Sequence, residues 1–210
     1  MTETLCPTLL DRRVLPLAEL LALCLDGQLY RVGDAFASPD TPDTPALRAR
    51  ALASGVPRRA IAERGSAAWI HGTRSTPPPR AQVCLLPAHR GTLVPVGVDG
   101  RQRTLEDDEF EPIGPIAVTT PLRTAADLFL QPGKFDRPAA LEVRHLLALA
   151  GSPPSALRAH TPRTRRGGSA RSLRRLELIE SVALPDGTAD APQPQDARTL
   201  DALSARVSRR

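Results

Sequence analysis

Apolar positions recur along this chain with two different periods, and the changes of period mark its elements. In LPLAELLALCLDG, residues 15–27, Leu17, Leu20, Leu21 and Cys24 fall at helical spacing, Pro16 suits the first turn and Gly27 can close it. QLYRVGDAFAS then sets Leu29, Tyr30, Val32 and Phe36 around a Gly-Asp turn at 33–34, which predicts a short hairpin. PDTPDTP, residues 39–45, reads as a proline-stiffened linker. Thr44 makes an N-cap, with Pro45 at the first helical position of PALRARALAS. RAIAERGSAAWIHG is helical in part, broken at Gly65 and restarted with Ser66 as cap. STPPPR, residues 75–80, is a rigid spacer, and AQVCLLPA, residues 81–88, a strand. GTLVPVGVDG, residues 91–100, is interrupted by Pro95 and suits an edge strand.

The sharpest unit is PIAVTTPLRTAADLFL, residues 115–130. IAVTT is a short strand, Thr120 caps a helix that begins at Pro121, and Leu122, Ala125, Ala126 and Phe129 form the apolar stripe of that helix. Arg123 and Asp127 sit four apart on one helix face and can pair, for about a few tenths of a kcal/mol at a surface. DRPAALEVRHLLALAG, residues 136–151, predicts a further helix with Asp136 near its start. HTPRTRRGGS is a basic loop, and ARSLRRLELIESV a last amphipathic helix. From Pro185 onward the polar, proline-rich composition reads as a disordered tail.

One stretch supports two incompatible structures. LRARALASGVPRRAIAERG has the layout of a helix-turn-helix, with Arg58 and Arg59 at the front of a DNA-reading second helix. The same residues, continued through GSAAWIHG, read as entry into a packed core around Ala67, Ala68 and Trp69, with His71 and Gly72 ending a short helix. Gly65 would interrupt a recognition helix, which favours core entry.

Composition adds the kind of core. Hydrophobic residues make up 41% of the 210 residues but aromatics only 3%, so the core rests on Leu, Val, Ile and Ala. Three widely spaced cysteines (Cys6, Cys24 and Cys84) make no disulfide framework, and Cys6 and Cys24 read as core thiols in a reducing cytosol. The start lacks a signal-peptide pattern and no apolar run has spanning length, so a soluble cytoplasmic protein with no membrane contact is expected.

Charge changes the picture more by distribution than by total. The net charge of +5 permits polyanion binding. Residues 1–40, however, hold three arginines against six acids, while residues 158–175 hold seven arginines and no acid. Arg163, Arg165, Arg166, Arg171, Arg174 and Arg175, beside a Gly-Gly hinge and a helix start, are therefore the candidate nucleic-acid contacts. The competing explanation is a solvated basic face in an arginine-rich chain.

The motifs of catalysis are missing: there is no GxSxG, Walker loop, GxGxxG or HExxH. Five acids between 106 and 111 read as a solvated loop rather than a metal site, because a contiguous run does not converge from several elements. Alternation along a strand would turn Cys84 and His89 to opposite faces. No catalytic residue, metal or cofactor is expected, and an enzyme is the weaker class.

Three segments, GSAAWIHG, AQVCLLPAHRG and IAVTTPLRTAADL, carry a resemblance to the actinobacterial AbiEi-like antitoxin family of type IV toxin–antitoxin systems. In that family a Ser-Ala-Ala-x-x-His-Gly segment opens the main domain and VTTPxRTxxDL closes it. The resemblance implies an α+β protein in three parts: a reduced winged-helix-like module over 1–38, a mixed α/β core over 44–182, and a disordered tail over 185–210. It marks Ser66, Trp69, His71, Thr120, Arg123, Thr124 and Asp127 as signature positions with a part in partner binding. It also implies a nucleotidyltransferase-like toxin and operon DNA as partners. A DNA-binding transcriptional regulator without a toxin is the alternative. In the wing, Asp34 and Ala35 stand where the family has a basic residue and a glycine.

Overall fold

The computed structural model describes residues 9–89, 91–159 and 167–184, with side chains from 170 onward in the last stretch. Among these residues, six α-helices and seven strands in two sheets make a mixed α+β fold. Helix α1 (Leu17–Leu25) leads into the antiparallel hairpin of β1 (Tyr30–Val32) and β2 (Ala35–Ala37), which turns at Gly33 with φ of 63°. Helix α2 (Pro45–Ala53) follows, and the Thr44 side chain accepts from the Leu47 amide as its N-cap.

The second sheet has five strands: β3 (Ile61–Ala62), β4 (Ala81–Leu85), β5 (Val98–Gln102), β6 (Phe110–Ile113) and β7 (Ile116–Thr119). Their order is β5-β4-β3-β7-β6, so the shortest strand holds the centre. It pairs antiparallel with β4 and parallel with β7, while β4 and β5 are parallel and β6 and β7 antiparallel. The chain then forms α4 (Pro121–Leu130), α5 (Arg137–Leu149) and α6 (Gly167–Ser181). Thr120 and Asp136 cap the first two of these, accepting from the amides of Arg123 and Ala139.

Helix α3 (Arg64–Ile70) joins the two halves of the core, because all seven of its residues are buried. Ala67, Trp69 and Ile70 pack with Val32, Ala35 and Ala37 of the hairpin, with α2, and with Ala62 and Val118 of the sheet. The hairpin and the residues after 44 thus share one apolar cluster. Ala68 belongs to a second cluster, built by α4, α5 and α6 around Phe129, Val143, Leu146, Leu147 and Ile179. Each fully buried side chain of this size contributes about 1.5–3 kcal/mol.

The structure corrects three local expectations. Residues 61–62 are a central strand, and Arg58 and Arg59 stand in the turn before it, so no recognition helix starts there. Gly65 does not break a helix; it lies inside α3, where a Cβ would come within 2.9 Å of Arg74 Nη1 and 3.0 Å of Gln82 Oε1. Ser66 caps nothing, since its hydroxyl accepts from the Gln82 amide at 2.8 Å while Gly65 N–H donates to Gln82 Oε1 at 2.8 Å. The glycine there leaves room for the ends of the Arg74 and Gln82 side chains, which a Cβ would push aside, rather than serving a turn of the chain. The edge strand near 91–100 does form, displaced beyond Pro95 to 98–102.

Candidate functional site

Residues paired across a sheet share a face. Cys84 stands opposite both Ile61 and Arg101, and Gln82 opposite Asp99, so Asp99, Arg101 and the next alternate residue, Arg103, line one face of the large sheet. Leu105 closes over Ile61 and Cys84 as a small apolar patch on that face. Beside the patch, where β3 runs into α3, Glu63 is fully buried and Arg64 nearly so. Arg64 takes a left-handed φ of 49°, a conformation that costs an arginine about 1–2 kcal/mol. The strained backbone delivers its guanidinium to two carboxylates.

From there a chain of alternating charges crosses five elements. Arg64 Nη2 donates to Asp99 at 2.9 Å and Arg64 Nε to Glu63 Oε1 at 2.8 Å. Arg103 bridges the middle, donating to Glu63 Oε2 at 3.0 Å and to Asp127 Oδ1 at 2.9 Å. Arg123 Nε reaches the same Asp127 oxygen at 3.1 Å, and its Nη1 donates to Glu109. Arg101 approaches Glu63 at 3.7 Å from the half-exposed rim, beside half-exposed Asp99. Asp127 Oδ2 is buried without a hydrogen-bond partner among the described residues. Burial works against a charged Arg103, but the hydrogen bonds and charges of Asp127 and Glu63 outweigh it and raise its pKa. Burial first, and then the charge of Glu63, push the Cys84 thiol up to about 12, which leaves it protonated and a poor nucleophile.

The structure brings two of the seven signature residues, Arg123 and Asp127, into this chain, and places the other five around it as framework. Buried Thr124 donates its hydroxyl to the Thr119 carbonyl at 3.0 Å. Thr120 caps α4 and donates its amide to the Glu109 carbonyl. His71 Nε2 lies 2.8 Å from the Thr119 carbonyl, and burial lowers its pKa, so the neutral ring donates that bond. Trp69 is buried under Arg48, whose guanidinium sits 5.8 Å from the ring centroid and donates to the Trp69 carbonyl at 2.7 Å. Ser66 belongs to the clamp with Gln82. The Arg123–Asp127 pair, expected at a surface, is mostly buried and forms one segment of a longer network.

Of the six basic candidates, Arg163, Arg165 and Arg166 lie outside the described residues. Arg171 and Arg174 are exposed on α6. Arg175 is not available to a nucleic acid: it is buried, donates to the carbonyls of Phe129, Gln131 and Gly133, and stacks 4.8 Å from the Phe135 centroid. It closes the C-terminal end of α4, where carbonyls lack helical partners. The acidic run is also partly spent, because Glu109 holds Arg123 and accepts from the Glu106 amide. His89, in a 3₁₀ turn over 87–89, meets Arg59 at 3.4 Å rather than Cys84. Among the described residues no group of three or more His, Cys, Asp or Glu gathers as a metal would require.

Sequence reasoning missed Glu63, Arg64, Asp99, Arg101 and Arg103. A signal existed in DGRQR, residues 99–103, whose charged side chains alternate with the period of a strand and so fall on one face.

Fold and site together define a mixed α+β protein whose central ionisable groups hold one another in place. No family model matches the chain, and no curated protein does. Among solved structures, the crystal structure of the RV2827C protein from Mycobacterium tuberculosis aligns at 18% identity with a TM-score of 0.34, covering 89% of this chain and 83% of that one. Among the described residues no helix is long and apolar enough to cross a membrane.

Proposed function

We propose that the protein is a non-enzymatic cytoplasmic regulator of the AbiEi-like antitoxin type, which works by binding a nucleotidyltransferase-type toxin. One observation carries the reading: the central carboxylates Glu63, Asp99, Glu109 and Asp127 are each held by an arginine. A surface fixed in this way presents a set pattern of charge at its rim, at Asp99 and Arg101, as specific recognition requires. Its carboxylates are engaged by arginines, with Asp127 Oδ2 buried and unpartnered among the described residues, which favours recognition over turnover. Helix α1 and the β1–β2 hairpin would be the remnant of a winged helix, and the acidic balance of residues 1–40 turns that remnant from DNA toward protein contact.

Co-expression with the product of an adjacent nucleotidyltransferase gene tests the proposal. Relief of growth arrest and recovery of a complex are expected, both lost in Arg101→Glu with the fold unchanged. Unrelieved toxicity without a complex overturns the proposal.

The exposed arginines of α6, Arg171 and Arg174, favour a second reading, a DNA-binding regulator without a toxin. It requires salt-dependent binding to the protein's own promoter, with the salt slope falling by about one for each phosphate-contacting arginine replaced by alanine. Absence of binding at low salt removes it.

A further inference from the structure

The two edges of the large sheet differ. Glu109 accepts at its carbonyl from the Thr120 amide, so by alternation β6 turns the backbone of Glu111 to β7 and that of Pro112 outward. Proline has no N–H to offer a further strand, and this edge is blunted. At the opposite edge, Arg103 donates its amide to the Leu85 carbonyl at 3.0 Å. Alternation then directs the backbone groups of Arg101 and Asp99 to β4 and those of Gly100 to the open side of β5. Gly100 is exposed, and neither its N–H nor its carbonyl meets a partner among the described residues. Apolar surface adjoins it: Val94 lies over Gly100, where a Cβ would come within 2.8 Å, and its near neighbours Leu93 and Val96 are 92% and 94% exposed. An open edge of this kind is a template for another strand.

We propose that this edge is a two-fold interface with a second copy of the chain, the two β5 strands pairing antiparallel through Gly100. One axis serves backbone and side chains alike. With the axis between the two Gly100 residues, each donates its N–H to the carbonyl of the other, the hydrogen-bonded kind of antiparallel pair. The same register sets Asp99 of each copy opposite Arg101 of the other. Both lie on one face of the joined sheet, in the non-hydrogen-bonded positions where opposed side chains stand closest. The sequence Asp-Gly-Arg is thus its own complement when reversed, as an isologous contact needs, and this selects a second copy over an unrelated strand. Both side chains can take the added partner: Asp99 is half-exposed and held by Arg64, and half-exposed Arg101 approaches Glu63 only at 3.7 Å. Five-residue strands bury little area, which places the dimer at the weak end of specific association. The inference does not rest on the toxin reading; a toxin seated on the Asp99–Arg101 rim would displace the second copy.

Sedimentation equilibrium on the full chain, without toxin, tests this with the wild type, Arg101→Glu, Asp99→Arg and an equimolar mixture of the two variants. The wild type should pass from monomer to dimer across the micromolar range. Arg101→Glu makes both positions acidic and Asp99→Arg makes both basic, so each variant alone should be monomeric with unchanged circular dichroism. Their mixture restores every opposite-charge pair and should form a heterodimer. Hydrogen exchange on the wild type needs no substitution: the Gly100 amide should gain protection several-fold as dimer forms. A wild type that stays monomeric up to its solubility limit overturns the proposal, as does a single variant that still dimerises, a mixture without heterodimer, or a dimer with an unprotected Gly100 amide. A monomeric wild type whose Gly100 amide is protected only beside the co-expressed nucleotidyltransferase product would assign the edge to the toxin and also overturn it.

Discussion

Replacing Arg103 with methionine would cut the charge chain at its middle link. Methionine keeps the unbranched apolar stem but not the guanidinium, so the change chiefly removes the charge and its donors. Glu63 would keep Arg64 at 2.8 Å and Arg101 at 3.7 Å but lose the partner of its Oε2. Asp127, whose Oδ2 already lacks a partner among the described residues, would retain only Arg123. Removing one member of a buried pair costs about 3–5 kcal/mol. Arg103 is one quarter exposed, so water offsets part of that, and about 2–4 kcal/mol is the expected loss. For a chain of this length the melting temperature should fall by roughly 5–15 °C. Urea unfolding of the wild type, Arg103→Met, Asp127→Asn and the double variant forms a thermodynamic cycle. Its coupling energy should be about 1–3 kcal/mol, because the neutral amide introduced by Asp127→Asn leaves no bare charge behind when Arg103 is gone. Added salt should change wild-type stability little, since screening does not reach buried pairs. A single-variant loss below about 1 kcal/mol, or additive losses in the cycle, would refute the reasoning.

Other outcomes follow from neighbouring groups. Cys84, buried and with its thiol pushed up to about 12, should resist iodoacetamide in the native protein and react only in denaturant, as peptide mass spectrometry can read. Burial lowers the pKa of His71 below its ordinary 6.5, so protonation favours the unfolded chain; the stability this gives is whole above about pH 6.5 and declines as pH falls toward the folded value. Unfolding free energies measured through that window should flatten in His71→Gln, and an unchanged slope would assign the dependence to another group. Arg175→Ala should lower the melting temperature by several degrees, from the loss of its bonds to the carbonyls of Phe129, Gln131 and Gly133 at roughly 1.5–3 kcal/mol, and leave any DNA affinity intact. Arg171→Ala and Arg174→Ala should do the reverse in a filter-binding assay.

Elements that declare themselves locally were legible in the sequence. Thr120 with Pro121, Thr44 with Pro45, and Asp136 each satisfy a helix start by chemistry within four residues, and all three caps form. The Gly-Asp turn fixed the hairpin in the same way. The central strand was not legible, because two residues cannot display a period, and Ile61 and Ala62 are held as strand only by β4 and β7 on either side. Gly65 misled for a related reason: its neighbours in space, Arg74 and Gln82, are distant in sequence. The charge chain draws its links from the β3–α3 junction, α3, β5 and the residue after it, the loop before β6, and α4, so its parts read singly as solvated charges. Only the alternation over 99–103 pointed to one face.

The brevity and placement of β3 also bear on how the protein is made. Synthesis runs from the N-terminus, and the parallel partner of Ile61 is Ala117. The hairpin, α2 and α3 therefore leave the ribosome well before β7 exists to flank them, and the nascent intermediate carries an uncovered strand edge beside the apolar side chains of Ile70 and Trp69. Folding of the large sheet is in this sense post-dated: no N-terminal fragment that stops short of residue 119 can close it. Translation slowed between residues 62 and 116 would lengthen the interval in which that edge is open to other nascent chains or to chaperones.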